Sequence, residues 1–265
     1  MLKLTACIEM MFQEYDYLKR PQAAADIGLD GVEFWGWSGK DMAAIGDACK
    51  AAGLPITSCS MDTKDEKCRE AWGKYGLLDK SNKQVAADMV GEGARAMQPL
   101  GIPTLIVCTG NTLPGRSREE QEEAVIECLK VAAPVAAEFG IQLVLEPLNP
   151  VVDHIGHYLN TSEQAFRILK AVNHPSLKLL FDIYHQQVTE GNVIMNITKN
   201  IDMIGHFHVA DSPGRHQPGT GELNYHNIFH EIAHHGYIQW VGLEYNPVGS
   251  TEASLLEVMK YARHA

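Results

Sequence analysis

Short apolar runs of β character alternate with amphipathic stretches along the whole of this 265-residue chain. The β-like runs fall at about Leu4–Ile8, Gly31–Trp35, Ile56–Cys59, Thr104–Cys108, Gln142–Glu146, Lys178–Asp182, Gly205–His208 and Val241–Glu244. Helical periodicity covers Tyr17–Ile27, Lys40–Ala52, Lys83–Leu100, Arg118–Phe139, Ser162–Val172, Val193–Asn200, Tyr225–His234 and Ser254–Arg263. Strand followed by helix, repeated, implies a parallel sheet, because parallel neighbours need a crossover and a helix is the compact one. Eight such units in this length predict one α/β domain over residues 1–265, a single (β/α)8 TIM barrel. A doubly wound open sheet would call for a glycine-rich turn after an early strand, and neither Cys7–Phe12 nor Trp35–Lys40 supplies one.

Local signals agree with these boundaries. Gly28, Gly53, Gly101 and Gly140 each follow a helical pattern, where a residue able to take positive φ ends the helix. Thr161-Ser-Glu-Gln164 reads as a capping box. The connection from Ser60 to Asn82 is far longer than the usual βα loop. It fits two readings equally, a lid over a site or a surface excursion with its own short helix.

Composition narrows the function classes. The formal net charge of −11, without a Lys/Arg cluster, works against a nucleic-acid partner, which requires a basic surface. No run approaches the roughly 18 consecutive apolar residues of a membrane span, and the start, Met-Leu-Lys-Leu-Thr-Ala, lacks a signal-peptide pattern. A soluble, cytoplasmic protein with no membrane partner is expected. The six cysteines show no Cys-x-x-Cys pair, so they read as reduced thiols, with Cys7, Cys59 and Cys108 acting as small buried hydrophobes.

Strand parity then selects a site. Alternate side chains of a strand share a face, so Glu146, Asp182, His208 and Glu244 each stand as the last inward residue of a strand. Barrel active sites occupy that C-terminal rim. Three carboxylates and one imidazole there suit one hard or borderline divalent ion, Mg²⁺ or Mn²⁺, with Co²⁺ also compatible. Without a cation or a shared proton the carboxylates would repel one another. The following loops carry Asn149, Asp153, His154, His157, His185, Asp211, Arg215 and His216, a rim suited to a small polyhydroxy or oxo-acid ligand. His206, one layer deeper, reads as a satisfied core histidine. His226, His230, His234 and His235 fall on a helical stretch and read as solvated.

The motifs LEPLNP at 145–150, FDIYHQQ at 181–187, GHFHVADSPGRHQPGTGELNY at 205–225 and GLEYNP at 242–247 resemble those of the xylose-isomerase-like TIM barrels. Within that group the chain looks most similar to hydroxypyruvate isomerases, with Glu9-Met-Met-Phe12 and Gly31-Val-Glu-Phe-Trp35 adding to the likeness. The resemblance implies that Glu146, Asp182, His208 and Glu244 hold the metal. It also implies that Glu146 and Glu244 are the acid/base pair, and that His185 and Arg215 hold substrate oxygens. The segment after Glu146, Pro-Leu-Asn-Pro-Val-Val-Asp, lacks the Arg-Phe-Glu stretch associated with free-ketose epimerases.

The expected activity is metal-assisted proton transfer beside a carbonyl through a cis-enediolate, interconverting hydroxypyruvate and tartronate semialdehyde or a related small oxo-acid. A ketose 3-epimerase is the alternative. An endonuclease IV-like repair enzyme and a non-catalytic sugar-binding barrel fit the sequence less well. A homo-oligomer is compatible with the fold, although no interface pattern stands out.

Overall fold

The computed structural model describes residues 1–263; His264 and Ala265, the last two of the predicted domain, lie outside them. Eight parallel strands, β1 (Lys3–Cys7), β2 (Gly31–Phe34), β3 (Ile56–Ser60), β4 (Thr104–Cys108), β5 (Gln142–Glu146), β6 (Leu177–Asp182), β7 (Ile204–Val209) and β8 (Trp240–Leu243), pair in sequence order. β8 returns to β1, with Thr5 opposite Gly242, and closes the barrel. All eight predicted strands and the barrel itself are present.

The predicted helices are α1 (Arg20–Asp26), α2 (Met42–Ala52), α4 (Lys83–Met97), α5 (Arg118–Glu138), α6 (Ser162–Val172), α8 (Val193–Asn200), α9 (Tyr225–His234) and α10 (Thr251–Arg263). Gly28, Gly53, Gly101 and Gly140 all take positive φ, as their positions after helices require. Two further short helices are present, one anticipated as a reading of the long connection and one not foreseen. One, α3 (Glu66–Trp72), lies inside the long Ser60–Asn82 connection, and its first turn is capped by Asp65. The rest of that connection packs down: Leu77 and Leu78 are buried, and Leu77 N–H donates to Thr109 O at 2.9 Å. The other, α7 (Ile183–Thr189), begins directly after β6, with Asp182 as its N-cap.

One capping expectation needs correction. Thr161 Oγ1 does accept from Gln164 N–H at 3.3 Å. The Gln164 side chain, however, donates to Glu122 on α5 instead of reaching back to the cap, because an ionised acceptor on the neighbouring helix makes the stronger bond. The reciprocal box occurs on α5, between Ser117 and Glu120.

Two apolar layers hold the structure. The larger fills the space between barrel and helices. Inside the barrel, among the described residues, a small apolar cluster is formed by Ile106, Val144 and Leu180. The opposite side of the lumen is polar: Thr5, Glu33, Thr57, Ser58 and His206 are all buried there. This division matters for function, because the polar half lies directly beneath the rim carrying the acidic residues. Among the described residues, no helix is long and apolar enough to cross a membrane.

Candidate metal centre and active site

The four strand-end residues meet. Glu146, Asp182, His208 and Glu244 are all buried, and each offers one ligand atom within 4.8 Å of the others. His208 Nδ1 lies 3.4 Å from Glu146 Oε1 and 3.5 Å from Glu244 Oε2. Asp182 divides its oxygens between two tasks. Oδ1 accepts from His185 N–H at 2.9 Å, capping α7, while Oδ2 is buried without a hydrogen-bond partner. Loop capping and a place in the cluster therefore coexist in one carboxylate.

The electrostatics call for a cation. Burial raises the Glu146 pKa, and the charges of Glu244 and Asp182 add to that rise against the pull of His208. Burial raises Asp182 as well, against the charges of Arg215 and His208. For Glu244 burial is outweighed by the charges of His208 and Arg215 and by the Trp35 hydrogen bond, so its pKa falls. Burial alone would depress His208, but the carboxylates of Glu244 and Glu33 lift it well above the usual imidazole value. A positive charge between the carboxylates is what the surroundings favour. A divalent ion supplies it with the same donors: three carboxylates, one imidazole nitrogen and the unpartnered Asp182 Oδ2 and His208 Nδ1. The residues fit such an ion.

The two predicted substrate-holding residues flank this cluster. His185 Nδ1 faces the Asn149 side-chain amide at 2.7 Å. As the acceptor it leaves the proton on Nε2, which is buried, unpartnered and 3.6 Å from Asp182 Oδ2. Burial and the nearby Arg215 charge hold the His185 pKa well below its usual value, so the ring is a neutral donor aimed into the site. Asn149 also donates to Asp153 Oδ2, which accepts from Tyr184 as well, both at 2.8 Å.

Arg215 stacks over the Tyr184 ring with 5.6 Å from guanidinium carbon to centroid, and it donates to Glu244 Oε2. Its loop is wound around Asp211, whose carboxylate accepts from the backbone N–H groups of Ser212, Gly219, Gly221 and Leu223. Gly221 is required there because a Cβ would fall 2.2 Å from Ser212 O. The loop leaves Arg215 at φ 55°, an uncommon conformation for a side-chain-bearing residue. Asp211 thus shapes the loop. His216 bonds Asn246 O at 2.8 Å, and His157 reaches Thr109 Oγ1 at 3.2 Å.

Several site residues escaped the sequence reading. Trp35 stands 45% exposed at the rim and donates its indole N–H to Glu244 Oε1 at 2.7 Å. Cys108 is not the buried core thiol expected. Its Sγ lies 3.7 Å from Glu146 Oε2, and Cys7 Sγ lies 3.9 Å from Glu244 Oε1. Burial and those carboxylates push both thiols well above the usual range, so they remain protonated. All six cysteines are free. Glu33 lies beneath the cluster, with Oε2 2.9 Å from His206 Nε2 and Oε1 3.2 Å from His208 Nε2. Strand parity could have found Cys7, Glu33 and Cys108, since each shares the inward face of its strand. His206 is satisfied at Nε2 as expected, while its Nδ1 is left unpartnered. His226, His230, His234 and His235 are exposed, as their helical position suggested.

Fold and cluster together define a parallel (β/α)8 barrel enzyme with a metal-competent rim. More narrowly, the chain belongs to the xylose isomerase-like TIM-barrel family, whose model matches residues 21–264. Hydroxypyruvate isomerase of Escherichia coli (strain K12) is 34% identical over 256 residues, covering 96% of this chain and 97% of that protein. 2-Oxo-tetronate isomerase of Cupriavidus necator is 33% identical over 258 residues, 96% of each chain. A crystal structure titled AP endonuclease, family 2, from Brucella melitensis matches with a TM-score of 0.89 at 32% identity, covering 98% of this chain and 99% of that one. The chain is an isomerase, the enzyme class of its full-length relatives.

Proposed function

We propose that this chain is a metal-dependent isomerase of a small oxo-acid, interconverting hydroxypyruvate and tartronate semialdehyde. The observation that carries this reading is the convergence of Glu146 Oε1 and Glu244 Oε2 on His208 Nδ1, at 3.4 and 3.5 Å. Two carboxylates facing one point can remove and return a proton there. Glu146, Asp182, His208 and Glu244 would hold one divalent ion, Mg²⁺ or Mn²⁺ by their oxygen-rich character. When bound, the ion would polarise the substrate carbonyl as a Lewis acid.

The chain's own residues account for the remaining steps. Glu244, kept ionised by Arg215, His208 and the Trp35 indole, removes a proton from C3 of hydroxypyruvate to give the cis-enediolate. Return of a proton to C2, with the hydroxyl proton passing from the C3 oxygen to the C2 oxygen, yields tartronate semialdehyde. Glu146, its pKa raised by burial, is the acid of the pair. His185 donates its Nε2–H to a substrate oxygen. Arg215 pairs with the substrate carboxylate, for which its planar fork is suited. The relatives named for hydroxypyruvate and 2-oxo-tetronate support an acid substrate. A DNA-repair role, the activity in the Brucella structure's title, has no counterpart in a cluster with one histidine and three carboxylates on a chain of net charge −11.

The test is solvent exchange. Mn²⁺-loaded protein in D₂O is given hydroxypyruvate, tartronate semialdehyde, 2-oxo-tetronate and neutral ketoses, and deuterium entry is followed at each carbon by NMR. Label at C2 of product formed from hydroxypyruvate is expected. Label at C3 of a ketose would make the chain an epimerase, and no label in any substrate would make it a binding protein.

A further inference from the structure

Glu33 lies one residue short of the end of β2, beneath the four-residue cluster. Its carboxylate ties three strands together inside the barrel, meeting side chains of β3 and β7. Oε2 accepts from His206 Nε2 at 2.9 Å and from Ser58 Oγ at 3.0 Å. Oε1 faces His208 Nε2 at 3.2 Å, close enough for an ion pair though not aligned as a hydrogen bond, and neither atom has another partner. Glu33, His206 and His208 are each no more than 2% exposed.

An imidazole has two nitrogens, and the bond made by one decides what the other can do. A carboxylate 3.2 Å from His208 Nε2 favours the proton on Nε2 over a lone pair there. In the neutral ring Nδ1 then carries the lone pair, and Nδ1 is the nitrogen that faces Glu146 and Glu244. The opposite tautomer would set the Nε2 lone pair against the Glu33 carboxylate and leave Nδ1 without a free electron pair.

A second observation shows that the lumen is shaped for this contact. Gly242, on the inward face of β8, has no positive φ that would demand glycine. A Cβ at that position would fall 2.2 Å from Glu33 Oε1 and 2.8 Å from His208 Cδ2. The glycine of the GLEYNP motif is therefore needed for space: its missing side chain is the gap through which Glu33 reaches His208.

We propose that Glu33 is a positioning residue for the metal centre, fixing His208 as its Nε2–H tautomer so that Nδ1 is presented to the ion, with Gly242 as the vacancy that admits it. The inference rests on the metal-dependent reading of the cluster. Glu33, His206 and His208 could also be taken for a second cation site, since their ligand atoms lie close together. Against that, Glu33 Oε2 already accepts from His206 Nε2 and Ser58 Oγ, which leaves Oε1 and His208 Nε2 as the one facing pair, a set too small to hold an ion by itself.

Partners of this kind typically govern metal affinity by about 10–100-fold. The experiment compares wild type with Glu33→Gln, whose shape is similar but whose amide cannot accept from both histidines at once. Mn²⁺ affinity and stoichiometry are measured by calorimetry. The His208 tautomer is read from ¹⁵N-resolved ring spectra of the Mg²⁺-loaded protein. Wild type should bind a single Mn²⁺ and show Nε2–H at His208. Glu33→Gln should bind about 10–100-fold more weakly and lose that tautomer signature, which a purely structural defect would not select. Unchanged affinity and tautomer in the variant would overturn the proposal while leaving the metal site intact. Wild type that binds no ion would overturn the metal reading itself, and a second tight ion would replace the positioning role with a second cation site. If Glu33→Gln fails to fold, the wild-type spectrum alone decides, since His208 found as Nδ1–H excludes the proposal.

Discussion

Glu244→Gln is the substitution on which the proton-transfer reading depends most directly. The carboxylate has donors on both oxygens: the Trp35 indole on Oε1 at 2.7 Å, and Arg215 on Oε2. An amide has one accepting and one donating end. If its oxygen stays with Arg215, its NH₂ is set against the Trp35 N–H; if it turns over, its NH₂ is set against the guanidinium. Either way one donor loses its acceptor, at about 1–3 kcal/mol if it is the Arg215 guanidinium and less if it is the half-exposed Trp35 indole. Removing a negative charge relieves repulsion with Glu146 and Asp182 but also gives up the larger attraction of His208 and Arg215, so Glu244→Gln should destabilise the fold by about 1–3 kcal/mol. Activity should suffer more. Loss of a placed acid–base group typically costs about 10²–10⁴-fold, or about 3–5 kcal/mol of barrier at 1.36 kcal/mol per decade. Glu244→Asp should fall nearly as far, because the carboxylate retracts by about one C–C bond, roughly 1.5 Å, from both donors. The assay is deuterium incorporation into hydroxypyruvate under single-turnover conditions, with thermal unfolding of the same preparations as the control for fold. A well-folded Glu244→Gln protein within tenfold of wild-type exchange would refute the assignment.

Three further outcomes follow from contacts around the site. Trp35→Phe removes a hydrogen bond to an ionised acceptor, worth about 1.5–3 kcal/mol; kcat should drop about 10–100-fold with little change in Tm, since Trp35 is half-exposed, and an unchanged kcat would show that the indole does not orient Glu244. Arg215→Ala should reduce kcat/KM for an acid substrate at least tenfold more than for a neutral ketose, because truncating one partner of a buried charge pair costs about 2–5 kcal/mol; equal losses on both would show that Arg215 does not read a carboxylate. Burial, with the neighbouring His154 charge, depresses the His157 pKa to about 4. A histidine whose folded pKa lies below its unfolded value binds fewer protons when folded, so its contribution is fully present above about pH 6.5 and is lost as pH falls towards about 4. That contribution is roughly 3 kcal/mol at most. His157→Asn should flatten stability across this window in urea titrations, and an unchanged acid profile would count against it.

Much of the architecture was legible because two periodicities are written locally. The period of two within strands placed Glu146, Asp182, His208 and Glu244 on one face, and the strand–helix alternation placed that face at a barrel rim. What was not legible depends on distances between strands far apart in sequence. Cys108 was taken for an inert core thiol because its run, Thr104–Cys108, is apolar on both faces; parity puts it on the inward face, but only its neighbour Glu146 on β5 gives that position a partner in the site. Gln164 completes a capping box in sequence but bonds Glu122 in space, because α5 packs beside α6. The Ser60–Asn82 connection fitted a lid or an excursion with its own short helix; it does carry that helix, and the rest of it packs down through contacts to the β4 end that no local pattern encodes.

The sequence by itself determined the barrel, the rim and the four residues that meet there, since each of these follows from side-chain parity along one strand at a time. Only the tertiary structure decided how those residues are supported. Barrel closure brings β8 to β1 and so sets Gly242 near Glu33, leaves room for Glu33 to reach His208 from below, and lets Trp35 and Arg215 hold Glu244 from opposite sides. Those relations are fixed by register and by the absence of a side chain at one position. Neither is carried by any single strand, and both exist only once all eight are paired.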